Sequence, residues 1–284
     1  MKQVLRNCVI VLHKDTFEVI GYHTLKIKPL PKLSQYNPWK LTIMSNYQLM
    51  AINPFQHKAF IYENRNWTFH SHTPRNEFMC NMVCTLPTGI CVTSKEAIEF
   101  LEKGSSNWVT RNLELKNQIE VGLPLSNNEM VVWRGKYKFQ QNLEKFNLNS
   151  LKIENFLKFR MPRRGCAICI YNGKLFVTGG QYINREKLRS IEIVRSTEII
   201  SLSDLHYEKS ADMNIKRVFH SMAIVGSKLI VFGGSKYDHR VEEWDDEEKK
   251  WKFSNLTTSS NALIFENYTY TQWSKRQGIK IFEI

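Results

Sequence analysis

The sequence is short of glycine, with 13 among 284 residues, and glycines stand side by side only at Gly179-Gly180 and Gly233-Gly234. It has no apolar run of 18 residues, which excludes a membrane-spanning helix. The opening stretch MKQVLRNCVIVLHKDTF holds a short apolar run from Cys8 to Leu12, cut off by His13-Lys14-Asp15. That is too short for a secretory signal core, and it reads as a strand. Helical periodicity is almost missing too. The longest helical candidate, KEAIEFLEK from Lys95 to Lys103, is followed by Gly-Ser-Ser-Asn-Trp, and the strand reading is preferred there.

Cysteine is present without a pattern that would use it. Cys8, Cys80, Cys84, Cys91, Cys166 and Cys169 sit largely inside apolar strand patterns, where a reduced thiol behaves as a small hydrophobe. Cys166 and Cys169, three apart on a strand, point to opposite faces and cannot share a zinc ion. No cofactor or metal is expected, and a reducing, cytoplasmic compartment is. The sequons at Asn66, Asn255 and Asn267 are what an asparagine-rich chain produces by chance. His70-x-His72 places two imidazoles on one strand face, and these read as solvated surface histidines.

What is present is a tandem unit. Met161 to Gly180, MPRRGCAICIYNGKLFVTGG, returns 54 residues later as Ile215 to Gly234, IKRVFHSMAIVGSKLIVFGG. In each copy a basic residue precedes an apolar strand, a tight Asn-Gly or Gly-Ser turn follows, and a second apolar strand runs into the glycine pair. A hairpin repeated at fixed spacing indicates a repeat architecture, and a period of this size indicates propellers or arrays.

Arg164 and Arg217 before the first strand, the two glycine pairs after the second, and VEEWDDEEKKW from Val241 to Trp251 resemble kelch repeats. The resemblance covers residues 161–260 and implies one four-stranded blade of a β-propeller per repeat. Paired glycines allow positive φ and close packing where the second strand ends, and the late Trp offers an apolar plate between blades. His220, at the start of a strand, is read as packing.

The rest of the chain follows the same rhythm with its glycines lost. Hairpins such as KLTIMSNYQLMAI and MCNMVCTLPTGICVT alternate with aromatic-led pairs such as AFIYENRNWTF. SIEIVRSTEIISL, Ser190 to Leu202, reads as the second half of a blade. The expectation is an all-β, six-bladed kelch-type propeller forming a single domain over 1–284, with seven blades as the alternative. Its blades are 261–284 with 1–39, then 40–75, 76–115, 116–162, 163–213 and 214–260. NALIFENYTYT and GIKIFEI at the C-terminus complement CVIVLHKDTFEVIGYH at the N-terminus, so the two ends are expected to share the sixth blade and cover its sheet edges.

Function has to be read from surfaces, because a propeller hosts many functions. With 40 Lys and Arg against 27 Asp and Glu, the chain carries a formal charge of +13. Strand alternation sends the connections after the second and fourth strands of each blade to one face. There fall Arg75, Arg134, Tyr137, Arg163, Arg164, Tyr182, Arg185, Arg217, Lys236, Tyr237 and Arg240. They are joined by Phe55, Lys136, Lys187, Arg189 and Lys216, whereas Asp245 to Glu248 lies on the opposite face. A basic, aromatic-studded rim suits a protein partner with an acidic or phosphorylated segment. The kelch resemblance implies the same kind of ligand, as in kelch adaptors and scaffolds, including substrate receptors of ubiquitin ligases.

Nucleic acid or another polyanion is the alternative partner, and it is disfavoured because the basic residues are spread over loops in no recognised nucleic-acid motif. A non-enzymatic chain is expected. Galactose oxidase has a kelch-type propeller but needs a Tyr, Tyr and His copper constellation, and the tyrosines here match no such motif. Kelch proteins of ubiquitin ligases usually carry an N-terminal BTB or F-box domain, whereas this chain begins directly with a strand pattern.

Overall fold

The computed structural model describes residues 8–257 except 14–15, 22–26, 30–39, 44–48, 54–56, 65, 74–81, 95–96, 113–118, 120, 135–138, 185–189, 226, 236–237 and 239, and below residue 49 the strands alone. Every described regular element is a strand; Lys95–Lys103, the one helical candidate, contains a strand over Ala97–Glu102.

Strands β1 (Cys8–His13), β2 (Thr16–Gly21) and β3 (Ile27–Pro29) form a three-stranded sheet. Five four-stranded sheets follow. The first is β4 (Lys40–Ile43), β5 (Leu49–Asn53), β6 (Lys58–Glu63) and β7 (Asn66–His72). The second is β8 (Met82–Leu86), β9 (Gly89–Thr93), β10 (Ala97–Glu102) and β11 (Trp108–Asn112). The third is β12 (Val121–Pro124), β13 (Glu129–Trp133), β14 (Gln140–Asn147) and β15 (Lys152–Arg163). In the fourth, β16 (Ala167–Tyr171) and β17 (Lys174–Thr178) are separated from β20 (Thr197–Ser201) and β21 (Tyr207–Glu208) by an inserted ribbon, β18 (Gln181–Asn184) with β19 (Ser190–Ile193). The fifth is β22 (Ser221–Val225), β23 (Lys228–Phe232), β24 (Arg240–Asp245) and β25 (Lys250–Thr257).

Strands consecutive in sequence pair antiparallel within each of these sheets, the meander of a propeller blade. The six-blade expectation is met only in part, by five four-stranded blades. The C-terminal segments 261–271 and 278–284, which were to complete a blade with β1 and β2, lie outside the described residues. One further expectation is corrected. Ser190 to Leu202 is not one hairpin: β19 pairs with β18, and only β20 continues the sheet beside β17. The alternation of Ile191 and Ile193 is strand-like whichever sheet takes the strand, so the pattern could not choose between the two partners.

The chain divides into two compact units. Among the described residues, one contains those up to Arg134 with Glu144–Asn155, the other those of Gly135–Leu143 with Phe156 to Thr257. In the first unit, Met50, Ile52 and Ala59 pack against Val83, Ile90, Val92 and Leu101. Met82, Cys84, Leu86, Cys91 and Ile98 pack against Ile119, Met130, Val132, Phe146 and Leu148. Strands β5, β8 and β9 are buried along their whole length, whereas β7 and β11 are largely exposed. A strand between stacked sheets has both faces covered, so it is apolar at every position instead of at alternate ones.

In the second unit an aromatic series runs Tyr171, Phe176, Trp244, Trp251, with successive ring centroids 5.9, 5.4 and 5.4 Å apart and steeply inclined. Such edge-to-face contacts are worth roughly 0.5–1.5 kcal/mol beyond area burial. Trp251 is buried and its Nε1 donates to Thr197 Oγ1 at 2.9 Å, joining the fifth sheet to the fourth. Tyr171 donates its hydroxyl to Ser227 O and to Asp246 Oδ2, both at 2.8 Å, so the acidic loop clasps the neighbouring sheet.

The turn Asn172-Gly173 has φ of 49° and 73°, the left-handed pair that a two-residue hairpin of this twist requires. Gly180 and Gly234 also have positive φ, 95° and 69°. Gly180 N donates to Arg217 O at 2.8 Å, and Val218 N donates to Gly234 O at 3.0 Å. A Cβ on Gly234 would lie 2.5 Å from His220 Cβ and 2.6 Å from Val218 O, whereas one on Gly233 meets nothing within 4 Å. Gly234→Ala is therefore expected to destabilise by about 1–3 kcal/mol and by more than Gly233→Ala, which carries strain alone. Urea melts of the two variants check this, and equal losses would refute a packing role for the second glycine.

Candidate functional site

The tandem repeat places Arg163, not Arg164, in register with Arg217, since both residues stand 54 positions apart with their glycine pairs. Arg163 Nη1 donates to Gly179 O at 3.0 Å and to Ser196 Oγ at 3.1 Å, and its Nη2 pairs with Glu198. Arg217 Nη1 donates to Gly233 O at 2.7 Å and Nη2 to Arg240 O at 2.6 Å, while Nε and Nη2 reach Glu242 Oε1 at 3.2 and 3.1 Å. Each glutamate also accepts from backbone at the preceding repeat boundary, Glu198 from Arg160 N and Glu242 from Ile215 N.

Arg163 and Arg217 are both fully buried, which corrects their assignment to a binding rim. A guanidinium removed from water must find acceptors, and here the repeat's own carbonyls and a buried glutamate supply them. Burial lowers the Arg217 pKa, opposed by Glu242. His220 is likewise internal: it is buried, with Nε2 2.8 Å from Thr178 Oγ1.

Two more rim residues are neutralised on the spot. Arg134 makes a bidentate pair with Glu144. Arg240 is exposed but chelates Asp238, with Nη2 2.6 Å from Oδ2, and lies 3.8 Å over the Phe253 ring. That hydrogen bond raises the Arg240 pKa and lowers that of Asp238. Arg75, Tyr137, Arg185, Lys236 and Tyr237 lie outside the described residues.

Arg164 and Tyr182 remain: Arg164 bonds Gln181 at the root of the β18–β19 ribbon, and Tyr182 is the next ribbon residue. Arg164 N donates to Gln181 O at 3.0 Å and Gln181 N returns a bond to Arg164 O at 2.8 Å. Arg164 Nε donates to Gln181 Oε1 at 2.9 Å, with its guanidinium 4.8 Å from the Phe139 ring centre. On the ribbon, Tyr182 stands opposite Glu192 and donates its hydroxyl to Glu192 Oε2 at 3.2 Å. Gln181, Phe139 and the ribbon isoleucines were not singled out in the sequence; the alternation of Ile183, Ile191 and Ile193 was the available signal.

The acidic run is also engaged. Asp245 accepts from Glu247 N, Glu248 N and Lys252 Nζ, and the Glu248 amide first, then Lys252, holds its carboxyl down at about 2. Asp246 accepts from Trp244 Nε1 at 3.1 Å besides the Tyr171 hydroxyl. These carboxylates finish local turns and pairs.

Among the described residues no group of three or more His, Cys, Asp and Glu is placed to hold a metal ion. His70 Nδ1 sits 2.8 Å from Ser71 Oγ, and partial burial lowers the pKa of that imidazole. Cys84, Cys91, Cys166 and Cys169 are buried free thiols, and burial pushes Cys169 up to about 12 and Cys84 higher still. A neutral buried thiol is a poor nucleophile. These four cysteines are expected to resist iodoacetamide in the native protein and to alkylate once guanidinium unfolds it, with peptide mass spectrometry as the readout.

Known proteins place this architecture. The kelch motif profile matches residues 216–254. No curated protein matches the chain in sequence. Among solved structures the chain is similar to a fungal alcohol oxidase of the AA5 family in complex with copper, at 12% identity and a TM-score of 0.58. The match covers 86% of this chain and 59% of the oxidase, so the chain spans well under two thirds of that protein. It is also similar to YjhT, at 11% identity and a TM-score of 0.59, over 89% of this chain and 98% of that one. Likeness at these identities is likeness of fold. The expectation of a non-enzymatic chain is corrected here, because a protein of similar fold is an oxidase and the architecture gives no ground for excluding catalysis.

The buried pairs generate a stability prediction. Arg217→Met strands Glu242 in the interior and Glu242→Leu strands Arg217, each at a cost of about 3–5 kcal/mol. The double variant is expected to cost less than the sum by at least ~1 kcal/mol in urea melts, since each change removes the other's orphaned charge. Strict additivity would show that the two side chains do not act as a pair.

Proposed function

We propose that this β-propeller, whose residues 216–254 match the kelch motif, works as a cytoplasmic protein-interaction module whose partner presents an acidic or phosphorylated segment. The observation that carries the reading is the placement of Arg164. It is the described rim arginine that pairs with no carboxylate among the described residues, being held by the neutral Gln181 side chain and the Phe139 ring. A guanidinium so placed keeps its charge for a carboxylate or phosphate and has its orientation set in advance. An acidic segment suits it in a chain of net charge +13. Arg163 and Arg217 take no part in recognition on this reading, since both side chains are buried inside the fold.

The test is capture of protein partners from a lysate on immobilised protein, parent against Arg164→Glu. Capture is expected to fall sharply in the variant while the melting temperature stays near the parent's, because a partly exposed arginine bonded to a neutral amide contributes little to stability. Undiminished capture by Arg164→Glu would overturn the reading. Binding of duplex DNA that outlasts high salt would overturn it in favour of a nucleic-acid partner.

A further inference from the structure

The β18–β19 ribbon stands out among the described strands for gathering three exposed isoleucines. Ile183, Ile191 and Ile193 are 39%, 52% and 38% exposed, in a molecule whose blades bury most of their isoleucines. The register places them together: Ile183 pairs with Ile191 and Gln181 pairs with Ile193. Cross-strand partners and residues two apart share a face, so the isoleucines and Gln181 occupy one face, while Tyr182 and Glu192 occupy the other. Arg164, bonded to Gln181 by backbone and side chain, adds a cation at the corner of that apolar face. Two-stranded ribbons are marginal in water by themselves, and an apolar face left on one calls for a covering partner.

We propose that this face is a docking platform for an extended segment of an acidic partner protein. Apolar side chains spaced two residues apart on that segment cover Ile183, Ile191 and Ile193, and a flanking Asp or Glu meets Arg164. Charge complementarity selects this occupant over a second copy of the chain. At net charge +13, two copies brought together at a face with an arginine on its corner repel each other, whereas an acidic segment is attracted. The period of the partner follows from the period of the platform, because an extended chain also sends alternate side chains to one face. The inference rests on the interaction reading above and adds to it the surface and the pattern it reads.

The probes are short fluorescein-labelled peptides in which Val alternates with Glu, with Lys or with Ser, titrated with the full chain and followed by anisotropy. The Glu series is expected to bind best. Ile191→Ser with Ile193→Ser, and separately Arg164→Gln, are expected to weaken it by about tenfold or more without shifting the melt. Equal binding of the Lys series, no binding of the Glu series, or variants that bind like the parent would each overturn the proposal. So would parent dimers in sedimentation that vanish in the double isoleucine variant, which would make a second copy the occupant. Lysate capture separates this proposal from the reading beneath it. Capture lost in Arg164→Glu but intact in the double isoleucine variant leaves the interaction module standing and removes this platform; capture unaffected by Arg164→Glu removes the module itself.

Discussion

A guanidinium buried without water has five donors to satisfy, and in this protein that requirement organises the repeat. Arg217 binds the carbonyl of Gly233 at the end of one strand, the carbonyl of Arg240 at the start of the next, and Glu242 two residues further on. Arg163 repeats the arrangement through its two Nη atoms with Gly179, Ser196 and Glu198, while its buried Nε has no hydrogen-bond partner among the described residues. Each arginine thus ties the entrance of its blade to the glycine turn and to the third strand. The glutamate passes the connection back through the backbone before the arginine, at Arg160 and at Ile215. Breaking one member leaves an uncompensated charge in the interior, so the glycine turn, the strand register and the ion pair stand or fall together.

The same requirement explains why the formal charge of the chain does not say which of its cations reach the surface unpaired. Two of the cations that the sequence offers for a rim are internal. Others are answered by near neighbours: Arg134 by Glu144 and Arg240 by Asp238. On the reading proposed above, recognition falls to a cation held by neutral groups, Arg164, and to the apolar ribbon that begins beside it. A fold of this type supports several functions, and an oxidase of similar fold shows that catalysis is one of them.

Much of the fold was legible because its signals are local. The Asn172-Gly173 turn, the glycine pairs and the alternation of short apolar runs depend on backbone sterics and on which faces are wetted, and both are written in adjacent residues. The strand at Ala97–Glu102 was legible from its place in the repeat where propensity alone favoured helix. Ser190–Ile193 was misassigned because alternation specifies a strand and leaves its partner open. The site was much less legible. Arg163 and Arg164 are adjacent and chemically identical, and only the register of the repeat, 54 residues to Arg217, separates the buried one from the one beside the ribbon.

By itself the sequence determined the class of structure, an all-β chain of repeated hairpins, because strand alternation, tight turns and paired glycines are constraints on neighbouring atoms. It also determined that the chain would carry a surplus of positive charge. The tertiary structure alone decided where that charge resides. A guanidinium reads the same in the sequence whether it faces water or a buried carboxylate, and the difference lies in residues such as Glu198 and Glu242, tens of positions away, that folding brings within a hydrogen bond.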